Sequence, residues 1–180
     1  MNRITWCKFI LLMTDLLVLF SSLFIAYDVL DIARNGHFYF PLEEFDIYVL
    51  IHACISIVGV LWFWIRLRHY TYRKPFWFEL KEIFRTLVIL FIIELAIVAF
   101  SRLYVSRYFW SVTWCCIFIL LPFARVMVKK LLIKTGMYLK ETIIIGNGRN
   151  AKEVFDALNN ESYLGFDIKL FVTTEDYDSE

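Results

Sequence analysis

Residues 47–65 read IYVLIHACISIVGVLWFWI, and residues 66–85 continue RLRHYTYRKPFWFELKEIFR. The first stretch carries no formal charge and is close to the ~20 apolar residues that a helix needs to cross hydrocarbon. The second sets six Lys/Arg among aromatic rings, the mixture that settles in the headgroup layer. A spanning helix that ends in a basic, aromatic block is therefore the first reading, and it can be tested against the rest of the chain. Further apolar runs lie near 9–29, 84–104 and 108–128, so four spanning helices are predicted. The first follows Arg3 and Lys8 like a signal peptide. It is too long for one, contains Asp15 and offers no A-x-A cleavage site, so it reads as an uncleaved anchor.

Composition agrees. Of 180 residues, 60% are apolar and 19% aromatic, well above the roughly 45–50% apolar share of soluble domains. A net charge of +1 gives no footprint of a nucleic-acid partner. Lysine and arginine set the orientation. With four spans, thirteen of them fall before run one, between runs two and three, or in the stretch from Arg125 to Lys140, against three in the other two loops. Both termini are predicted to be cytoplasmic, in a multi-pass protein of a bacterial inner membrane.

Two acids interrupt these runs. Asp15 and Glu94 are costly in lipid and should face the bundle interior. Asp15 lies about 10 Å inside Lys8 and Arg125 about 6 Å inside Lys129, at 1.5 Å per residue. They can pair if helices one and four touch; separate snorkelling to the headgroups is the alternative. In the 66–85 block, Pro75 suits a first helical position. Phe76, Leu80, Ile83, Phe84 and Leu87 then share a face, with Glu79, Glu82 and Arg85 opposite. This predicts an interfacial helix whose two glutamates face water. Cys7, Cys54, Cys115 and Cys116 read as buried free thiols, and His37, His52 and His69 are too scattered for a metal site.

After Gly136 the pattern changes. Thr142–Ile145 reads as a strand, Gly146-Asn147-Gly148-Arg149-Asn150-Ala151 as a turn, and an amphipathic helix follows with Ala151, Val154, Phe155 and Leu158 on one face. Ile168–Thr173 reads as a second strand, with Glu175 and Asp176 just beyond it. The G-x-G-x-x-A turn makes Gly146, Gly148 and Ala151 the candidate cofactor-binding residues, able to seat a phosphate at the helix N-terminus. Such turns also persist as scaffold, and a structural role is the competing reading. The fold class is thus an α-helical membrane protein: a four-helix transmembrane bundle over 1–135, with its basic loop at 66–85, then an incomplete Rossmann-like β-α-β fragment over 136–180. An unpaired sheet flank invites a second copy, so a homo-oligomer is expected, with weak packing after Thr173.

The block from Trp62 to Arg85, Ser106-Arg-Tyr-Phe-Trp110, Pro122-Phe-Ala-Arg125 and Thr142-Ile-Ile-Ile-Gly-Asn-Gly-Arg-Asn-Ala151 resemble, in order, the N-terminal part of undecaprenyl-phosphate galactose phosphotransferases. The resemblance implies an enzyme that moves galactose-1-phosphate from UDP-galactose to undecaprenyl phosphate in O-antigen, capsule or exopolysaccharide synthesis. It also implies that catalysis, an adjacent Asp-Glu pair and magnesium belong to a C-terminal domain. These residues contain no Asp-Glu dipeptide. No catalytic residue, metal ligand or cofactor is therefore assigned to this chain, which is expected to be inactive alone. A membrane-bound nucleotide-sugar dehydratase and a non-enzymatic dimerisation or recruitment module are the other readings.

Overall fold

The computed structural model describes residues 3–33, 42–101, 106–146 and 148–172. Four long helices come first: α1 (Arg3–Ala33), α2 (Leu42–Ile65), α3 (Phe76–Phe100) and α4 (Arg107–Lys134). Strand β1 (Lys140–Ile145), helix α5 (Arg149–Asn160), a 3₁₀ turn at Ser162–Leu164 and strand β2 (Phe166–Val172) follow. All four long helices are long and apolar enough to cross a membrane. In the bundle, α1 packs on α4 and α2, and α3 closes the ring between α2 and α4.

What lies inside confirms the solvent. Leu19, Phe63, Leu87, Trp114, Ile117 and Leu121 fill the middle of the bundle, and Leu23, Ala26, Tyr48 and Phe109 fill its other end. Asp15, His52, Glu94, Arg125 and Lys129 are buried among the helices, while Leu17, Leu50, Ile119 and Phe123 point outward and are 62–69% exposed. Charge inside and grease outside is stable only where hydrocarbon replaces water. This is a multi-pass membrane protein. The same inversion corrects the cysteine reading. Only Cys7 is buried; Cys54 and Cys115 are exposed and Cys116 is half-buried, because acyl chains, not protein, cover the outer face of α2 and α4.

Helices α1 and α4 exceed their apolar runs at both ends, and α2 and α3 at their N-terminal ends, since flanking polar and charged residues continue the helical hydrogen bonding. The largest departure is α3. No separate interfacial helix precedes the third span: one helix runs from Phe76 to Phe100, with no glycine or proline inside it to break it. Pro75 caps it instead of occupying its first turn. The buried stripe is Glu79, Ile83, Thr86, Leu87, Leu90 and Glu94, so Glu79 faces the bundle and not water. Phe84 turns outward at 40% exposure. The polar side of the expected helix is in part the buried side, because cations on α4 compensate Glu79. In α2 a Cβ at Gly59 would lie 2.7 Å from Leu90 Cδ1, so a larger residue there would require the Leu90 side chain of α3 to move.

The tail forms a parallel β-α-β unit. β1 pairs with β2 from Lys140↔Phe166 to Ile145↔Val172, with a bulge after Thr142. Phe155 of α5 meets Phe171 of β2 at 5.5 Å between ring centroids, and Ile144 is the buried residue of β1. The helix begins at Arg149, two residues before Ala151, and no residue of it is fully buried. Glu175, Asp176 and the expected weak packing after Thr173 lie outside the described residues, as do His37 and the 102–105 end of the third run.

Candidate functional site: a buried ion network at the bundle end

The start of α1, the α2–α3 loop and the end of α4 meet at one end of the bundle, where their charged side chains converge. The Arg125 guanidinium grips Asp15 with two parallel bonds: Nε donates to Oδ1 at 2.7 Å and Nη2 to Oδ2 at 2.5 Å. Such a fork is the strongest geometry available to this pair. The Tyr70 hydroxyl donates to the same Oδ2 at 2.5 Å. Of the two outcomes open for Asp15, the pair across α1 and α4 is the one formed, and Asp15 has no exposed surface.

The third guanidinium nitrogen extends the network. Arg125 Nη1 donates to His69 Nδ1 at 2.6 Å and to Glu79 Oε1 at 3.2 Å. Lys129, one turn further along α4, donates to Glu79 Oε2. His69 Nε2 donates to Glu82 Oε2 at 2.7 Å, and Lys74 Nζ to the same oxygen at 2.5 Å. Three carboxylates thus meet three cations. Phe63 closes the floor, 4.4 Å from the guanidinium carbon and stacked on the His69 ring at 5.3 Å.

Since an arginine N–H only donates, His69 Nδ1 must accept, which places the ring proton on Nε2. Burial first, then the neighbouring Arg125 and Lys74 charges, push the His69 pKa down to about 2. The neutral ring is therefore part of the fold. Below pH 6.5 the unfolded chain binds a proton here that the folded chain refuses, so stability should fall as pH drops. The expected slope is about 1.4 kcal/mol per pH unit, roughly 2 kcal/mol by pH 5. Detergent unfolding between pH 7.5 and 5 measures it, and His69→Gln should flatten the profile. A chain that gains stability on acidification would contradict the assignment.

The network reaches the β-α-β unit. Tyr163, in the 3₁₀ turn, donates its hydroxyl to Glu79 Oε2 at 3.1 Å, and Lys129 Nζ lies 4.4 Å from its ring centroid. Burial and the Glu79 carboxylate push the Tyr163 pKa up, keeping the hydroxyl a donor. Arg73, from the α2–α3 loop, clamps the backbone of the unit. It donates to Leu164 O at 2.8 Å, Gly165 O at 2.5 Å and Tyr138 O at 2.5 Å. Gly165 is required there: its φ is +65°, and a Cβ would lie 2.9 Å from Tyr138 Cδ1.

Glu94 also faces the interior, as predicted. Its two oxygens lie 3.1 and 3.2 Å from His52 Nδ1, and His52 Nε2 donates to Leu19 O at 2.9 Å. The sequence reading missed Tyr163 and both histidine roles. One signal was present for Glu79: Arg125 and Lys129 lie four apart on an apolar helix, hence on one face, and two buried cations demand carboxylates.

Gly146 and Gly148 stand at φ +138° and +156°, backbone that a side chain strains. A Cβ at Gly146 would sit 3.7 Å from the Ala151 Cβ. With Ile145, Arg149 and Asn150 they line a shallow hollow before α5. It holds no residue of the ion network.

No protein-family model matches the chain. Over 174 residues, 96% of its length, it is 52% identical to a protein of Haemophilus influenzae named an uncharacterized sugar transferase. It is 46% identical over 178 residues, 97% of its length, to the undecaprenyl-phosphate galactose phosphotransferase of Salmonella typhimurium. A UDP-galactose-lipid carrier transferase of Erwinia amylovora is 47% identical over 131 residues. The chain spans 28–37% of the lengths of these relatives. Identity of this order over nearly every residue, on four helices able to cross a membrane, makes the chain a homologue of part of the length of sugar transferases that include an undecaprenyl-phosphate galactose phosphotransferase.

Proposed function

We propose that this chain is the membrane scaffold of a galactose-1-phosphate transferase that acts on undecaprenyl phosphate in O-antigen, capsule or exopolysaccharide synthesis. The observation that carries this reading is the bridge from bundle to β-α-β unit. Glu79, Lys129 and Tyr163 bind three separate elements into one charge-balanced cluster, and Arg73 fastens the unit's backbone to the loop. A rigid platform is thereby held at one membrane face, and the Lys/Arg distribution supports reading that face as the cytoplasmic face of the inner membrane. Chemistry is assigned elsewhere in the whole protein. Asp15, Glu79 and Glu82 are already committed to cations, so none is free to act as base or nucleophile. Any magnesium belongs to that other part. The Gly146–Ala151 turn serves as scaffold, shaping the start of α5, and self-association through the open sheet edge completes the reading.

The test is a chimera in which this chain replaces the matching part of the Salmonella typhimurium relative. Radiolabelled UDP-galactose and undecaprenyl phosphate should yield lipid-linked sugar with the chimera and none with this chain alone. A folded chimera without transfer, or product from the isolated chain that Glu79→Gln abolishes, would overturn the scaffold reading.

A further inference from the structure

Beside Tyr70 a cleft of about 380 Å³ opens between the start of α1 and the β-α-β unit. Lys8, Arg73 and Lys140 line it, together with the apolar groups of Leu11, Leu139 and Phe166, and no carboxylate does. The contrast with the neighbouring network is sharp. There, every cation has its carboxylate. Here, among the described residues, Lys8, Arg73 and Lys140 form no ion pair. Arg73 is the telling member. It is half-buried, hydrogen-bonded to three neutral carbonyls and set over the Tyr138 and Phe166 rings at 4.5 and 5.2 Å, so carbonyl dipoles and ring faces hold the guanidinium and no carboxylate neutralises it. Burial pulls its pKa down, with only Tyr138 and Cys7 opposing. A partly buried cation without a counterion is a standing electrostatic cost, and an anion in the cleft removes it.

The position selects the anion. Cys7 and Lys8 near the start of α1 and residues 70–73 in the loop after α2 line the cleft and flank the apolar spans, so the cleft lies where lipid headgroups lie. We propose that the cleft binds a phosphate group, its lysines and Arg73 facing the oxygens and its apolar floor taking the chain of a lipid that carries it. The inference stands on the charge balance of the cleft and does not require the transfer reaction. Lys8 and Lys140 are outside the ion network, so failure here leaves the scaffold role untouched.

The experiment uses the full chain in phosphatidylcholine nanodiscs, with two arms. In one, a small fraction of phosphatidic acid is included and the lipid retained on the chain is counted by native mass spectrometry. In the other, inorganic phosphate is titrated by calorimetry. The wild-type chain should retain phosphatidic acid over phosphatidylcholine, and Lys8→Gln/Lys140→Gln should weaken this about 30-fold at unchanged thermal unfolding. Retention without phosphate binding identifies the lipid as the source. Binding in both arms shows that the phosphate group suffices, and binding of free phosphate alone overturns the lipid part. No binding in either arm, or equal binding by the double variant, overturns the proposal.

Discussion

Arg125→Gln is expected to destabilise the bundle by about 3–5 kcal/mol, the range for removing one partner of a buried ion pair. Arg125 is 2% exposed and fills both oxygens of Asp15, which has no exposed surface at all. Glutamine cannot supply the charge, so a carboxylate is left among apolar helices with the Tyr70 hydroxyl as its remaining donor. Unfolding by a denaturing detergent, followed by tryptophan fluorescence, measures the loss. Asp15→Asn/Arg125→Gln should lose less than the two single variants added together, with a coupling of about 1–3 kcal/mol. Strict additivity would mean that the α1–α4 fork does not hold the bundle.

Glu79→Gln should cost about 1.5–3 kcal/mol, the worth of hydrogen bonds to a charged group. It should also loosen the β-α-β unit. Lys129 loses its counterion while 2% exposed, and Tyr163 keeps only a neutral acceptor. The expected sign is faster limited proteolysis in the 135–140 linker than in the wild-type chain. Tyr163→Phe should accelerate cleavage with a smaller loss of stability, because it leaves the Glu79–Lys129 pair intact. Glu79→Gln/Lys129→Gln should recover part of the stability, since no buried lysine then stands unpaired. If Glu79→Gln leaves cleavage unchanged, the network does not fasten the unit.

The errors in reading the sequence have one origin. Helical periodicity weighs apolar residues, so Phe76, Leu80 and Phe84 outvoted Glu79 for the inward face. The partners that reverse the vote lie 46, 50 and 84 positions away. No window of one helix contains them. Asp15 was read better because its depth could be compared with that of Arg125 from rise per residue alone. That comparison needed helices one and four to touch, which only packing supplies. Gly165 tells the same story on a smaller scale. Its positive φ and close approach to Tyr138 come from how the 3₁₀ turn docks under Arg73.

By itself the sequence determined the solvent, the number of membrane helices and the parallel β-α-β order of the tail. These depend on properties that are local and additive: the length of an apolar run, the position of glycines and the alternation of side chains. The tertiary structure decided which acid meets which base, which face of α3 is inside, and where charge is left unpaired. Electrostatic energy in a low-dielectric interior falls with distance between charges and is indifferent to their separation along the chain. Only the assembled bundle brings Asp15, His69, Glu79, Arg125 and Tyr163 to one place, and only there is Arg73 seen to lack the carboxylate its neighbours have.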